Sequence, residues 1–363
     1  MNVFWNKRIM SLAPYIPGEQ PRDAGIVKLN TNENPYPPSP KVIEALKSAD
    51  WERLRLYPDP ACTALREAIA KQRHVDAVQV FAGNGSDEVL AFAFGAFFAG
   101  RSDSCGPLLF PDITYSFYPV YANLWDIPFK EAPLRGDFSI DTGDYREAEN
   151  GVIFPNPNAP TGIAVPVREI TDIAGLCAAR NKVLIVDEAY QAFGAESVVP
   201  FINENPGLLT VHTLSKSASL AGLRVGFAIG RRHLIEALER IRDSFNSYTV
   251  DALAQIAAAA AVLDGEYYDE INKKVIKTRI RVEAELAALG FSCLPSSANF
   301  IFTKPPPYIG APRLSALLRE KGVLVRYFDK PRVREYLRVS IGRDCDMDRF
   351  LEICAYAVNT INN

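Results

Sequence analysis

Between residues 40 and 260, short and mainly apolar runs alternate with stretches of helical period, and this alternation restricts the possible folds more than any other feature of the chain. The runs Val78–Ala82, Leu108–Phe110, Val152–Phe154, Val183–Val186, Leu209–His212 and Val225–Ile229 have the length of strands and the near-continuous apolar character of strands covered on both faces. Between them, Ser39–Ala49, Thr63–Gln72, Asp87–Phe98 and Val167–Ala179 carry helical spacing, the last opened by Pro166 near its first turn. Strand and helix in regular succession predict a mostly parallel sheet sandwiched by helices.

The flanks read differently. Residues 1–40 hold Pro14, Pro17, Pro21, Pro35, Pro37, Pro38 and Pro40 among Asn and Tyr, a composition that predicts an extended arm packed on something larger. Ala252–Leu263 and Tyr267–Leu289 are long helical patterns with no strand between them, the second charged along one face at Glu270, Lys274, Arg279, Glu283 and Glu285. Beyond it, strands Asn299–Phe302, Val323–Arg326 and Tyr336–Ser340 mix with helices Pro312–Lys321 and Met347–Asn359, as in a small α+β domain. The expected division is an N-terminal arm (1–40) packing with the small domain, a large domain (41–263), a connecting helix (264–289) and a small C-terminal domain (290–363).

A chain of 363 residues, 48% hydrophobic and 23% charged, has the composition of a folded protein with a sizeable core. Its 40 basic and 43 acidic side chains leave a net charge of −3, so no bulk positive field exists to hold nucleic acid or an anionic membrane. The six cysteines (Cys62, Cys105, Cys177, Cys293, Cys345, Cys354) form no Cys-x-x-Cys pair, and His74, His212 and His233 are scattered. Free thiols and no metal site are expected. Val89–Ala99 is too short to cross a bilayer, the alanine-rich run 252–263 is interrupted by Gln255, and the N-terminal residues make a poor signal peptide. The expected location is the cytoplasm.

Three segments carry candidate chemistry. Gly83-Asn84-Gly85-Ser86-Asp87-Glu88 lies between a strand and an apolar helix, where glycines and unsatisfied N–H groups can receive a phosphate, although the same pattern suits an ordinary turn with Ser86 or Asp87 as cap. Val183-Leu184-Ile185-Val186-Asp187-Glu188-Ala189-Tyr190 ends a buried strand in two acids, and the carboxyl ends of strands are where open α/β sheets bind ligands. In Thr213-Leu214-Ser215-Lys216 the lysine follows another buried strand, with almost no other charge before Arg224; a desolvated amine of this kind suits a Schiff base, and Ser215 and Arg224 are natural phosphate partners.

Taken together, Asn32-Glu33-Asn34-Pro35, Tyr57-Pro58-Asp59, Gly85-Ser86-Asp87, Asn158-Ala159-Pro160-Thr161-Gly162, Asp187-Glu188-Ala189-Tyr190, Thr213-Leu214-Ser215-Lys216, Ala221-Gly222-Leu223-Arg224 and Leu337-Arg338-Val339-Ser340-Ile341-Gly342 resemble the fold type I pyridoxal-phosphate aminotransferases, and within them those that act on histidinol phosphate. The resemblance runs in order along nearly the whole chain. It implies a large domain with a mostly parallel seven-stranded sheet between helices, plus a smaller α+β domain formed by the arm and the C-terminal segment. It also implies pyridoxal phosphate as cofactor, in Schiff-base linkage to Lys216. Asp187 would pair with the ring nitrogen, Tyr190 would donate to the ring 3-oxygen and Tyr115 would stack on the ring. Gly85, Ser86, Asp87, Ser215 and Arg224 would hold the phosphate, joined by Tyr57 from the neighbouring subunit of a homodimer with shared active sites. Where the family places asparagine before Pro-Thr-Gly this chain has Ala159; Asn158 is the expected substitute, with Asn156 as rival because residues two apart on a strand share a face.

For the substrate, the resemblance implies Arg338 as the carboxylate-binding arginine, with Tyr15, Asn32 and Arg326 as helpers. The implied reaction moves an amino group between L-histidinol phosphate and 2-oxoglutarate in histidine biosynthesis. Aromatic amino-acid transamination and threonine-phosphate decarboxylation are alternatives on the same scaffold, and a non-catalytic cofactor-binding regulator is a remoter one.

Overall fold

The computed structural model describes residues 4–21, 25–100 and 106–361; Cys105 lies outside them. Among these residues the strands are β1 (Val27–Leu29), β2 (Val80–Gly83), β3 (Leu108–Pro111), β4 (Phe129–Ala132), β5 (Val152–Pro155), β6 (Leu184–Asp187), β7 (Leu208–Thr213), β8 (Gly226–Gly230), β9 (Ser292–Cys293), β10 (Phe300–Lys304), β11 (Val323–Tyr327) and β12 (Leu337–Ser340). They form a seven-stranded sheet in the order β2-β8-β7-β6-β5-β3-β4 and a five-stranded sheet in the order β1-β11-β12-β10-β9. The fold is α/β with a mostly parallel large sheet, as the alternation of runs predicts.

Alternate side chains of each buried strand enter opposite cores, following the strand period of two. Leu184 and Val186 of β6 join one cluster with helices Thr63–Arg73, Val167–Ala179 and Ala252–Val262. Ile185 joins the other, with helices Gly85–Phe97, Tyr118–Leu124 and Arg232–Phe245. Among the described strands of the large sheet, only β8 runs against its neighbours, β2 and β7. The segment 214–225 that precedes it contains a single 3-10 turn and no crossover helix, so the chain re-enters the sheet beside β7 in the opposite direction.

The 24-residue helix Gly265–Ala288 ties the two sheets together. Its first turns bury Tyr268 and Ile271 in the large-sheet core, and its later turns bury Val275, Val282 and Leu286 in the small-sheet core. The 1–40 segment is less uniformly extended than its prolines predict: Lys7–Ser11 form a short helix capped by Asn6, and β1 pairs in parallel with β11. Strand β4 is also absent from the sequence reading. It is an edge strand with Lys130 and Glu131 exposed, so it lacks the apolar run that marks its neighbours. No helix among the described residues is long and apolar enough to cross a membrane.

Candidate active site

The carboxyl ends of β5, β6 and β7 and the helix that follows β2 converge on a cavity of about 270 Å³ lined by Ser86, Asp87, Tyr115, Ala159, Asp187, Tyr190, Ser215, Lys216 and Arg224, with Gln20, Thr31 and Glu33 closing it from the N-terminal segment. Residues scattered over two hundred positions are brought together because the strands carrying them are neighbours in the sheet.

Asp187 ends β6 and is almost fully buried. Its carboxylate accepts from the Tyr118 hydroxyl at 3.1 Å and from the Ala189 amide at 3.1 Å, yet burial still pushes it up to about 6. A cation beside it would favour its charged form. Lys216 lies behind the same wall, its Nζ donating to the Thr31 carbonyl at 2.9 Å. Burial lowers its amine to about 8, against the opposing pull of the Glu33 carboxylate. The Tyr190 ring lies 5.9 Å from that Nζ and meets Phe300 edge-on.

One corner is built for an anion. Arg224, at the left-handed φ of 54°, turns its guanidinium to Ser215 Oγ at 3.3 Å and to Asp87 Oδ2 at 2.8 Å. The other Asp87 oxygen accepts from the Tyr115 hydroxyl at 2.7 Å. Helix Gly85–Phe97 points its first amides into this corner. Two glycines make the approach possible: a Cβ on Gly85 would fall 2.5 Å from the Arg224 guanidinium, and one on Gly226 would fall 2.2 Å from the Ser86 nitrogen. A buried amine, a buried acid and this cradle together suit a phosphorylated aromatic aldehyde bearing a ring nitrogen.

A second cavity, of about 400 Å³, shares Tyr115 and Ala159 with the first and brings in Tyr15, Arg326, Phe328 and Arg338. Arg338 crosses the Phe300 and Phe328 rings, donates to the Asn30 carbonyl at 2.9 Å, and keeps a buried Nε with no partner. Tyr15 stacks on Phe117 at 4.2 Å.

Not every expected residue is here. Asn158 does not line the cavity: its amide oxygen accepts from Thr114 Oγ1 at 3.0 Å and its nitrogen donates to the Ile113 carbonyl and Thr161 Oγ1, at 2.9 and 3.2 Å. Asn156 is bonded on both sides to the Val165 backbone. Neither asparagine side chain lines the cavity: Asn158 ties its turn to the Ile113–Thr114 segment, and Asn156 bridges to Val165. Asn32, expected as a substrate helper, is 1% exposed and lines neither cavity; its side chain sits behind Tyr190. Tyr57 is 81% exposed and stacks on Tyr248 away from Lys216. Tyr118, Glu33 and Gln20 escape the sequence reading. For Tyr118 the available signal is its spacing, three residues after Tyr115 at the start of helix Tyr118–Leu124.

The described residues contain no group of acids, histidines or cysteines able to hold a metal ion. Residues 24–353 match the family model for aminotransferase class I and II. The chain belongs to this aminotransferase family. It is 52% identical, over 97% of its own length and 99% of the relative's, to histidinol-phosphate aminotransferase 1 of Bradyrhizobium diazoefficiens. It is also 52% identical to the histidinol-phosphate aminotransferase of Acinetobacter baumannii, over 94% and 93% of the two lengths. Among solved structures, the aminotransferase fold seen here superposes on histidinol-phosphate aminotransferase from Sinorhizobium meliloti, determined in complex with pyridoxal-5'-phosphate, with a TM-score of 0.85 over 99% and 98% of the chains at 22% identity.

Proposed function

We propose that this aminotransferase binds pyridoxal phosphate in the Lys216 cavity and moves an amino group from L-histidinol phosphate to 2-oxoglutarate, giving imidazole-acetol phosphate and L-glutamate. The observation that carries the substrate reading is Arg338, which keeps a buried, unpartnered Nε and lines a cavity shared with Arg326 and Tyr15, in a chain whose near full-length relatives bear that activity in their names. An arginine fork presents paired donors to a carboxylate or a phosphate alike, which suits a site that must take glutamate and a phosphomonoester in turn.

Bound, the cofactor supplies an electron sink for the carbanion left when the substrate Cα loses its proton. The protein does the rest. Lys216 would hold the cofactor through its aldehyde, and its desolvated, readily deprotonated amine is placed to take up and return the substrate Cα proton. Asp187 would keep the ring nitrogen protonated. Tyr190 would donate to the ring 3-oxygen and Tyr115 would cover the ring face. Ser215, Arg224 and the amides of Gly85, Ser86 and Asp87 would bind the phosphate. Tyr57, beside the exposed Leu54, Leu56 and Ile256, reaches the same phosphate in a second subunit of a homodimer. The free cysteines among the described residues accord with a reducing, cytoplasmic setting.

The test is a comparison of amines under one set of conditions. Glutamate formation from 2-oxoglutarate should be fastest by far with L-histidinol phosphate. Faster turnover with L-phenylalanine would assign the aromatic reaction instead, and carbon dioxide release from L-threonine phosphate would assign the decarboxylase.

A further inference from the structure

Tyr190 is held by a residue that touches neither cavity. The Asn32 side-chain nitrogen donates to the Tyr190 hydroxyl oxygen at 3.0 Å. The Asn32 amide oxygen accepts from Ser340 Oγ at 2.9 Å, and the Ser340 oxygen in turn accepts from the Asn32 backbone N–H at 2.8 Å. Asn299 closes the set by donating to the Asn32 carbonyl at 3.0 Å. Because the side-chain oxygen is committed to Ser340, the nitrogen is directed at Tyr190. With its lone pair engaged, the tyrosine keeps its own O–H free to donate into the cavity.

The opposite wall lends no help. Tyr190 packs against Ala159, Ala298 and Phe300, and the side-chain amides of Asn156 and Asn158 are bonded elsewhere, to Val165 and to the Ile113–Thr114 segment. An asparagine behind the tyrosine therefore does what no side chain beside it does. We infer that Asn32 is a positioning residue that aims and strengthens the Tyr190 hydroxyl as a donor, offsetting the absence of an amide at position 159. This rests on the reading that the Lys216 cavity holds the pyridoxal phosphate ring with its 3-oxygen toward Tyr190. Other charged groups facing Tyr190 are Asp187 at the end of β6, Asp87 on helix Gly85–Phe97, Lys216 after β7 and Arg338 on β12; the variants below leave all of them in place.

The choice of variants follows from the backbone. Asn32 has a left-handed φ of 55°, so Asn32→Gly removes the amide without the strain that alanine would add. Asn32→Asp keeps the shape and the acceptor for Ser340 but loses the donor. The readout is the visible band of the cofactor-loaded protein followed against pH, since a donor to the ring 3-oxygen favours the deprotonated chromophore and lowers its titration midpoint. Loss of one neutral hydrogen bond in this chain should raise the midpoint by about half a unit to one unit in Asn32→Gly, and by at least as much in Asn32→Asp. Adding Ala159→Asn to Asn32→Gly should lower it again. A wild-type band whose midpoint is unmoved in both Asn32 variants would overturn the inference and leave the cofactor reading standing. A raised midpoint that Ala159→Asn does not lower would overturn the offsetting role. Absence of any band in the reconstituted wild type would overturn the cofactor reading and this inference with it.

Discussion

Burial lowers the Lys216 amine to about 8, so at pH 7 roughly a tenth of it is unprotonated, far more than for a solvated lysine. A buried lysine gives up its proton as pH rises through that value, and only the free amine attacks an aldehyde. Mixing unloaded protein with pyridoxal phosphate should therefore load it several-fold faster at pH 9 than at pH 7, the rate levelling off above about 8; a flat rate across that range would show that Lys216 is not the titrating nucleophile. Lys216→Ala should lower transamination by about 10²- to 10⁴-fold or more while circular dichroism stays that of the wild type, and unchanged turnover would remove Lys216 from the mechanism. Arg338→Ala takes away a charged fork and should reduce kcat/KM for histidinol phosphate about 10- to 100-fold, with Arg338→Lys recovering only part because an ammonium cannot bind two oxygens in the same plane. The chemistry-bearing residues were legible in the sequence where they end a buried strand: Asp187 and Lys216 each follow an apolar run whose direction dictates where they sit. Asn32 was singled out there for a different role, as a substrate helper, and Tyr118 not at all. Their roles exist only through contacts with Tyr190, 158 positions away, and with Asp187, 69 positions away, and nothing local in the chain encodes such a pairing.

At the scale of elements, the glycine at the start of β8 matters as much as the helix it faces. Gly226 lies against the first turn of helix Gly85–Phe97 so closely that a Cβ would overlap Ser86. Gly226→Ala should push that turn away from Arg224 and weaken cofactor retention about tenfold or more, measured by equilibrium dialysis, with a smaller effect on global unfolding; full retention would mean that the turn is free to shift. The alanines of helix Ala252–Val262 work in a related way. Ala254, Ala257, Ala258 and Ala261 are buried in the large-domain core, where their helix packs on helices Pro40–Lys47 and Thr63–Arg73, and Ala258→Leu should cost about 1–3 kcal/mol in denaturant unfolding because the fully buried Ala258 leaves its neighbours to yield to the added carbons. Elements with continuous apolar strands or clear helical period were readable in advance, as Val167–Ala179 and Ala252–Val262 illustrate. Strand β4 was hidden by Lys130 and Glu131, and β1, three residues in a proline-rich segment, is a strand only because β11 lies beside it.

For the molecule as a whole, the candidate active site lies where the two sheets meet, and the proposed dimer would complete it with a second copy of the chain. Leu54, Leu56, Tyr57, Tyr248 and Ile256 are exposed together, and in the proposed dimer they are covered while Tyr57 reaches the partner's cofactor phosphate. Ile256→Asp should halve the mass in sedimentation and weaken cofactor binding together; a loss of mass with undiminished binding would show that the sites are not shared. The central claim, that Lys216 carries pyridoxal phosphate and that histidinol phosphate is the preferred amine, is tested most directly by the visible spectrum of the reconstituted protein before and after L-histidinol phosphate is added, with L-phenylalanine and L-glutamate as comparison amines. A yellow band bleached preferentially by histidinol phosphate is the predicted result. A band bleached better by phenylalanine, or no band at all, would contradict it.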